Sequence, residues 1–134
     1  MANEDSISRK AVKFVIGYER KNDRDAIDMQ TNSSFKGFDV LSFSKDKKDI
    51  RSIEVKGTQI DNGIPDLFET ELTRNKKLIA THLYVVKFNK KKDVISLFIV
   101  PADKIKSEYF KETRHYRICS TFKTKELDKY KEKI

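Results

Sequence analysis

Two alternating stretches decide the fold of this chain: Gly-Phe-Asp-Val-Leu-Ser-Phe at residues 37–43 and Ile-Arg-Ser-Ile-Glu-Val-Lys-Gly at residues 50–57. Apolar and polar residues alternate in both, which is typical of β-strands that bury one face. The intervening residues 44–49 are mostly charged and suit a turn. The sequence therefore predicts that the two stretches form an antiparallel hairpin.

The register of this hairpin follows if the turn brings Phe43 opposite Ile50. Asp39 then lies directly opposite Glu54, with the two Cβ atoms about 5 Å apart. Lys56 follows two positions later on the same face, because side chains alternate along a strand. The other face carries apolar side chains, which we expect to bury against a helix: Phe38, Val40, Ile53 and Val55.

The polar face of the hairpin admits two interpretations. Asp39 and Glu54 would repel each other across the ladder unless a cation lies between them. Carboxylates with a main-chain carbonyl and water are hard oxygen ligands that suit Mg²⁺ or Mn²⁺, and Lys56 could orient a water or stabilise charge on a phosphate. That combination fits phosphodiester hydrolysis. The alternative is a solvated strand face with an ordinary Glu54–Lys56 ion pair.

The periodicity elsewhere predicts one domain built around the hairpin. Apolar residues at helical spacing predict a helix over residues 6–19, with Asp5 or Ser6 as its N-cap. Residues 22–32 suit a loop or a short strand. Further strands are predicted at residues 67–72, 83–88, 94–100 and, as an edge strand, 116–122, and further helices at residues 73–80, 103–109 and in a basic C-terminal tail at about 123–134. This order predicts a single domain, residues 1–134, of α/β (α+β) class with a mixed central sheet flanked by helices.

Charge and composition narrow the class of partner. The 134 residues include 29 Lys and Arg against 21 Asp and Glu, a formal net charge of +8. Such a field favours polyanions, above all nucleic acid, although a lysine-rich soluble surface explains the same charge. No apolar run is long enough to span a membrane, the N-terminus does not resemble a signal peptide, and one cysteine excludes an internal disulfide. We therefore expect a cytoplasmic protein without membrane association, for which nucleic acid is the first candidate partner.

The hairpin resembles the PD-(D/E)XK nuclease superfamily. Its pattern is an acidic residue on one strand, followed on the next strand by Glu or Asp, any residue, and Lys; Asp39 and Glu54-Val55-Lys56 match it. The sequence is most similar to the branch found at the C-terminus of the plant protein NO VEIN and in many prokaryotic proteins. The similarity runs from about residue 6 to residue 101 and includes residues 37–40, 51–58, 68–75 and 84–86.

This resemblance implies a fold and an activity. The fold would be restriction-endonuclease-like: a helix, a three-stranded antiparallel meander, a second helix and a further strand. The activity would be Mg²⁺- or Mn²⁺-dependent endonucleolytic cleavage of DNA, with Asp39, Glu54 and the Val55 carbonyl as metal ligands. Lys56 would assist the attacking water. Many members add a catalytic glutamate on the first helix, which Glu19 matches, although a surface glutamate is the alternative. Small nucleases of this type often act as homodimers, because each site cuts one strand.

Two basic segments are candidates for contacts with DNA. One lies at the start of the second predicted helix, where backbone amides favour phosphate, and the other is a lysine-rich turn. The candidate residues are Arg74, Asn75, Lys76, Lys77, Lys90, Lys91 and Lys92. Lys76 and Lys77 stand where the NO VEIN branch tends to carry an acidic residue, and Phe38 stands where the superfamily name has proline. The alternative function is a catalytically silent module of the same fold that binds nucleic acid or protein.

Overall fold

The computed structural model describes residues 6–31, 37–59, 66–68, 79–105, 107–110, 115–118 and 127–134. Its elements are helix α1 (Ile7–Lys21), strands β1 (Arg24–Asp28), β2 (Val40–Ser44), β3 (Ile50–Thr58), β4 (Asp66–Phe68), β5 (His82–Phe88), β6 (Val94–Pro101), β7 (Ser107–Phe110) and β8 (His115–Ile118), and 3-10 helices at Ala102–Lys104 and Asp128–Tyr130. Within these ranges, no helix is long and apolar enough to cross a membrane.

Helix α1 begins at one of the two predicted N-caps. Ser6 has extended backbone, and its Oγ accepts a hydrogen bond from the Arg9 amide at 3.1 Å. The helix continues past Glu19 to Lys21, and the basic side chains of its last turn complement the negative end of the helix dipole. Its buried face consists of Ala11, Val12, Val15 and Glu19.

Five of the described strands form a mixed sheet in the order β1-β2-β3-β5-β6. The first three are an antiparallel meander, β5 runs parallel to β3, and β6 returns antiparallel to β5. The predicted hairpin is confirmed, because Phe43 lies opposite Ile50 and Val40 opposite Ile53. The mixed sheet also confirms the predicted α+β class.

The strand that opens the meander is β1, which comes from the stretch predicted as a loop or a short strand. The strand predicted at residues 67–72 overlaps β4, but β4 does not join the meander. It pairs with β8 in a second sheet of order β4-β8-β7. Residues 69–72 lie outside the described residues.

Strands β3 and β5 are parallel, so they end at the same edge of the sheet. Glu54 lies beside Leu83 and Lys56 beside Val85. A parallel pair requires a crossover connection, and the second helix predicted at residues 73–80 falls within it. Residues 69–78 lie outside the described residues, and residues 79–80 form a bend rather than a helix.

Each face of the large sheet has its own apolar cluster. The cluster under α1 includes Ala11, Val12, Val15, Val40, Ile53, Val55, Tyr84 and Val86, and the cluster on the opposite face consists of Ala80, Leu83, Val85, Phe98, Val100 and Leu127. A Cβ added to Gly57 would lie 2.9 Å from Ile7 Cγ2 and 3.0 Å from the Ile7 carbonyl oxygen. The glycine after Lys56 therefore lets the first turn of α1 lie close against β3.

The prediction for Phe38 is wrong, because this side chain packs against the cluster on the face away from α1. The regular β2–β3 register ends at Val40, and the backbone bends at Asp39. Strict alternation therefore does not extend back to Phe38. Val40, Ile53 and Val55 are buried under α1 as predicted.

Two predictions between β6 and β8 are also wrong. The described part of residues 103–109 contains no α-helix: a 3-10 helix at Ala102–Lys104 precedes β7, whose backbone pairs with β8, and residue 106 lies outside the described residues. Strand β8 lies between β4 and β7, so it is the central strand of its sheet and not an edge. The remainder of that predicted strand, residues 119–122, lies outside the described residues.

The described part of the C-terminal tail is not a regular α-helix. Leu127 is buried, and a 3-10 helix follows at Asp128–Tyr130. Lys131 then forms a bridge with Phe98, and the Glu132 amide donates to the Leu97 carbonyl at 2.8 Å. The exposed edge of β6 thus supplies backbone partners that favour an extended chain over a further helical turn. Residues 119–126 lie outside the described residues.

Candidate active site

Asp39 lies where the β2–β3 ladder ends. Its amide donates to the Ile53 carbonyl at 2.9 Å, one position out of the register that places Val40 opposite Ile53. Its carboxylate turns towards β3, where Oδ2 accepts from the Val55 amide at 2.8 Å. The other oxygen, Oδ1, accepts from Gln30 Nε2 at 3.1 Å. These two hydrogen bonds fix the carboxylate against the strand that carries the Glu-x-Lys motif.

Glu54 and Lys56 lie on the face of β3 away from α1. They alternate with Ile53 and Val55, which pack under α1. Glu54 is 6% exposed, and its Oε1 lies 3.9 Å from Lys56 Nζ, whose side chain is 15% exposed. The ion pair that the alternative interpretation required is therefore present, but it is largely buried and not on a solvated face.

The Val55 carbonyl is directed to the same side of β3 as Asp39. The N–H and C=O of one strand residue point to the same neighbouring strand, and the Val55 N–H is bound by the Asp39 carboxylate. The structure thus places three oxygen donors, from Asp39, Glu54 and the Val55 main chain, at adjoining positions of two strands.

A layer of polar residues behind Asp39 was missed by the sequence analysis. Arg9, in the first turn of α1, forms an ion pair with Asp28 at the end of β1, and its Nη1 donates to Gln30 Oε1 at 3.2 Å. The main-chain amide of Gln30 donates to Asp28 Oδ1 at 3.0 Å. Gln30 therefore links the Arg9–Asp28 pair to Asp39. The sequence signal for this layer is the pair of polar residues Asp28 and Gln30 on either side of Met29, within residues 22–32, which suit a loop or a short strand.

Glu19 is not brought to this site. It is 1% exposed and lies under the α1 face of the sheet, where Oε1 accepts from the Tyr84 hydroxyl at 2.9 Å. Arg24 Nε lies 3.6 Å and Arg51 Nη1 3.8 Å from the same oxygen. Arg51 precedes Glu54 by three residues, so its side chain lies on the opposite face. Glu19 is therefore neither a surface residue nor a neighbour of Asp39 and Glu54.

The polar groups around Glu19 form hydrogen bonds with one another. Arg51 Nη1 donates to the Tyr84 hydroxyl at 2.8 Å while that hydroxyl donates to Glu19. Burial, followed by the Glu19 carboxylate, raises the pKa of the Tyr84 hydroxyl far above its ordinary value, so it stays protonated as a donor. The helical phase of α1 explains the placement, because Glu19 continues the buried row of Val12 and Val15.

The lysine-rich turn lies at the same sheet edge as Lys56. Lys90, Lys91 and Lys92 are exposed between β5 and β6, in a turn organised by Asn89, whose Oδ1 accepts from the amides of Lys91 and Asp93. The Asn89 carbonyl accepts from Gln59 Nε2 at 3.2 Å, which ties the turn to the end of β3. The other predicted DNA contacts, Arg74, Asn75, Lys76 and Lys77, lie outside the described residues.

The donors at Asp39, Glu54 and Val55 fit a hard divalent cation in chemistry. All are oxygens, which Mg²⁺ and Mn²⁺ prefer. Within the described ranges, no three His, Cys, Asp or Glu side chains cluster closely enough to hold a metal ion. An ion here would thus depend on the main-chain carbonyl and on water, and Mg²⁺ usually keeps several waters when it binds protein.

Comparisons with known proteins agree with this architecture. The Holliday junction resolvase Hjc of Archaeoglobus fulgidus, an archaeal hyperthermophile, superposes with a TM-score of 0.54 over 87% of this chain and 86% of its own, at 14% identity. No curated protein sequence matches. The fold is therefore similar to that of this resolvase, in agreement with the predicted restriction-endonuclease-like fold. The sequence profile described as "Protein NO VEIN, C-terminal" matches residues 7–99. More than half of the chain is thereby accounted for, and this protein belongs to the family of the NO VEIN C-terminal domain.

Proposed function

We propose that this protein is a Mg²⁺- or Mn²⁺-dependent endonuclease that hydrolyses phosphodiester bonds in DNA. The carrying observation is the hydrogen bond from the Val55 amide to the Asp39 carboxylate. It holds one acid of the motif against the strand that supplies the other acid, Glu54, and Lys56. The resolvase fold and the net charge of +8 support DNA as the substrate.

Asp39, Glu54 and the Val55 carbonyl would hold the divalent ion. When bound, the ion would neutralise charge on the phosphate and lower the pKa of a coordinated water. The chain's own contribution is the placement of the donors. Val55 and Gln30 fix the two oxygens of Asp39, and the low exposure of Glu54 strengthens its electrostatic interactions.

Lys56 acts on the attacking water and on the developing phosphate charge. Its ammonium group lies 3.9 Å from Glu54 Oε1, so it is held beside the carboxylate. A preorganised cation in a largely water-excluded site stabilises negative charge that grows in the transition state. Lys56 is therefore the residue of the motif that serves the chemistry rather than the ion.

The flanking basic residues would position the substrate. Lys90, Lys91 and Lys92 lie at the edge of the sheet where β3 and β5 end, and we assign them contacts with phosphates beside the scissile one. We extend this assignment to Arg74, Asn75, Lys76 and Lys77. Each site cuts one strand, so cleavage of both strands of a duplex would require a homodimer.

Cleavage of supercoiled plasmid in Mg²⁺ or Mn²⁺ tests the proposal. Lys56→Ala and Asp39→Ala should each lower the cleavage rate by on the order of 100-fold or more. Lys48→Ala, which removes an exposed lysine in the β2–β3 turn, is the matched control and should cleave like the wild type. Equal cleavage by Lys56→Ala and Lys48→Ala, with both folded, would overturn the assignment.

A catalytically silent binding module is the second candidate. It is favoured by one observation: the described residues offer two carboxylates near Lys56, and the helix glutamate Glu19 is held elsewhere by Arg24 and Arg51. A silent module would cleave no supercoiled, linear, branched or single-stranded DNA, yet would give a salt-dependent gel shift. Thermal stabilisation by Mg²⁺ or Mn²⁺ that disappears in Glu54→Ala would support the metal site and exclude a purely structural protein, while cleavage separates the enzyme from the silent module.

A further inference from the structure

The outer face of α1 carries a groove that the proposed reaction does not use. Its volume is about 390 Å³, and it runs along the helix towards the C-terminal segment. Its lining consists of Lys13, Phe14, Gly17, Tyr18, Lys21, Asn22, Lys133 and Ile134. The Asp39–Glu54–Lys56 site lies beyond the sheet from this face, so the groove is a separate surface.

Two aromatic rings form one wall of the groove. Phe14 and Tyr18 are stacked, with ring centroids 6.5 Å apart and an interplanar angle of 25°. Both are partly buried against the core cluster under α1, and the Tyr18 hydroxyl is hydrogen-bonded to Glu132. The rings are therefore held in place before any ligand arrives, which lowers the entropy lost on binding.

The floor of the groove is open at Gly17. A Cβ added there would meet no atom within 4 Å, so this position between Phe14 and Tyr18 leaves room for a planar group. A glycine inside a helix costs about 1 kcal/mol relative to alanine, and no packing contact at Gly17 accounts for it. Free space beside a fixed pair of rings is what a stacked base requires.

The charged side chains that line the groove are all lysines. Lys13 and Lys21 lie eight residues apart on α1, which is about 12 Å along the helix axis. Lys133 reaches the groove from the segment that the Lys131–Phe98 bridge anchors to β6. These three lysines suit a chain of phosphates, and the Glu132 carboxylate beside the groove is engaged by the Tyr18 hydroxyl.

We propose that this groove binds single-stranded nucleic acid, with unpaired bases stacked on Phe14 and Tyr18 and phosphates contacted by the lysines. Sequence-independent binding of single strands combines these two elements, aromatic platforms and a cationic track. A duplex would offer the phosphates but not the bases. The inference shares only the nucleic-acid partner with the proposed function, because binding here requires neither the metal site nor cleavage.

Binding of a fluorescent oligothymidylate, measured by anisotropy in EDTA, tests the groove without any cleavage. Gly17→Glu places a carboxylate in the groove without a steric clash and should weaken binding at least tenfold. Gly17→Gln, of nearly the same size but neutral, should weaken it less. Gly17→Ala adds a single methyl group to the open position and should weaken binding least of the three. Thermal melting of the three variants verifies that all are folded.

The salt dependence of binding tests the lysine contacts with phosphates. An oligonucleotide without bases tests the stacking on Phe14 and Tyr18. Lys21→Gln and Lys133→Gln should each lower the slope of log K against log salt by about 0.7, the value for one single-strand phosphate contact. An abasic oligonucleotide of the same length should bind more weakly than oligothymidylate. The loss in Gly17→Glu should be larger for the single strand than for a duplex of equal length.

Several outcomes would contradict binding of single-stranded nucleic acid in the groove. Gly17→Glu binding as tightly as Gly17→Ala, or the abasic strand binding as tightly as oligothymidylate, excludes stacking here. Equal losses for duplex and single strand would mean a backbone-only site. A change in sedimentation of Gly17→Glu with unchanged DNA affinity would show that a second copy of the chain occupies the groove. Lys48→Ala, outside both the groove and the proposed active site, should retain oligothymidylate affinity. Because anisotropy in EDTA involves no cleavage, failure of cleavage and failure of the groove remain distinguishable.

Discussion

Two buried glutamates lie on opposite faces of this sheet. The groups around each one distinguish a structural acid from a candidate catalytic acid. Glu19 is 1% exposed, and its carboxylate is met by Arg24, Arg51 and the Tyr84 hydroxyl. Its charge is compensated by groups of the chain itself. Such a carboxylate is satisfied as it stands and presents no free oxygen pair to an ion.

Glu54 is almost equally buried but has different neighbours. Its oxygen lies 3.9 Å from Lys56, and a second carboxylate, Asp39, is hydrogen-bonded to the very next residue of the strand. Two carboxylates at adjoining positions of two strands repel each other, and the basic Lys56 side chain lies beside Glu54. Burial alone therefore does not identify a functional acid; what distinguishes Glu54 from Glu19 is the second carboxylate on the neighbouring strand.

The largest difference between the two acids should appear in catalysis. Glu54→Gln removes a proposed metal ligand and should lower Mg²⁺-dependent cleavage by on the order of 100-fold or more. Glu19→Gln keeps an acceptor for Tyr84 and should cleave at the wild-type rate per folded molecule. Initial rates on plasmid DNA check both. Equal losses of cleavage rate in the two variants would contradict different roles for Glu19 and Glu54.

Stability should show the opposite ranking. Glu19→Ala removes the buried carboxylate shared by Arg24 and Arg51, leaves them only the exposed Asp49 as an acidic partner among the described residues, and should lower the free energy of unfolding by on the order of 3 kcal/mol. Urea denaturation measures this. Asp25→Ala, which breaks the exposed Asp25–Lys45 pair, is the control and should cost under about 1 kcal/mol. A cost for Glu19→Ala no larger than that control would contradict the structural role.

Alanine substitutions at two glycines should change stability in opposite directions, one where α1 packs on β3 and one on the outer face of α1. Gly57→Ala forces a Cβ against Ile7 and Ala11 at 2.9–3.0 Å and should destabilise the fold by about 1–3 kcal/mol. Gly17→Ala meets no neighbour and should stabilise it by up to about 1 kcal/mol through helix propensity. Thermal melts distinguish the two. Changes of the same sign would mean that α1 does not pack on β3 as described.

The smallest expected effect is a pH dependence at the Glu19 end. Burial, and then the Arg51 guanidinium, lower the pKa of His82 below its ordinary 6.5. The unfolded chain therefore takes up this proton first, so the free energy of unfolding should fall as pH drops below about 6.5 and stay unaffected above it. His82→Asn should flatten that decline. A decline just as steep in His82→Asn would assign it to other groups.

The hairpin could be predicted from the sequence because three signals agree there. Alternation in residues 37–43 and 50–57 and the charged turn between them fix one register, and the structure has it. The same signals failed at Phe38, where the backbone bends at Asp39. Local patterns therefore predict paired backbone well and the ends of the pairing poorly.

The rest depended on contacts between distant elements. Helical spacing places Glu19 at the edge of the apolar stripe, but Arg24, Arg51 and Tyr84 come from three different strands, so no local pattern shows which charges it meets. Leu127 and Tyr130 have helical spacing, yet the edge of β6 draws the following residues into an extended bridge. Tertiary partners override local preference in both cases.

Binding of Mn²⁺, followed by electron paramagnetic resonance in the absence of DNA, tests the central claim that Asp39 and Glu54 form a metal site. We expect the wild type and Glu19→Gln to bind Mn²⁺ with equal affinity and Glu54→Gln to lose this binding. Binding that survives in Glu54→Gln, or that disappears in Glu19→Gln, would contradict it.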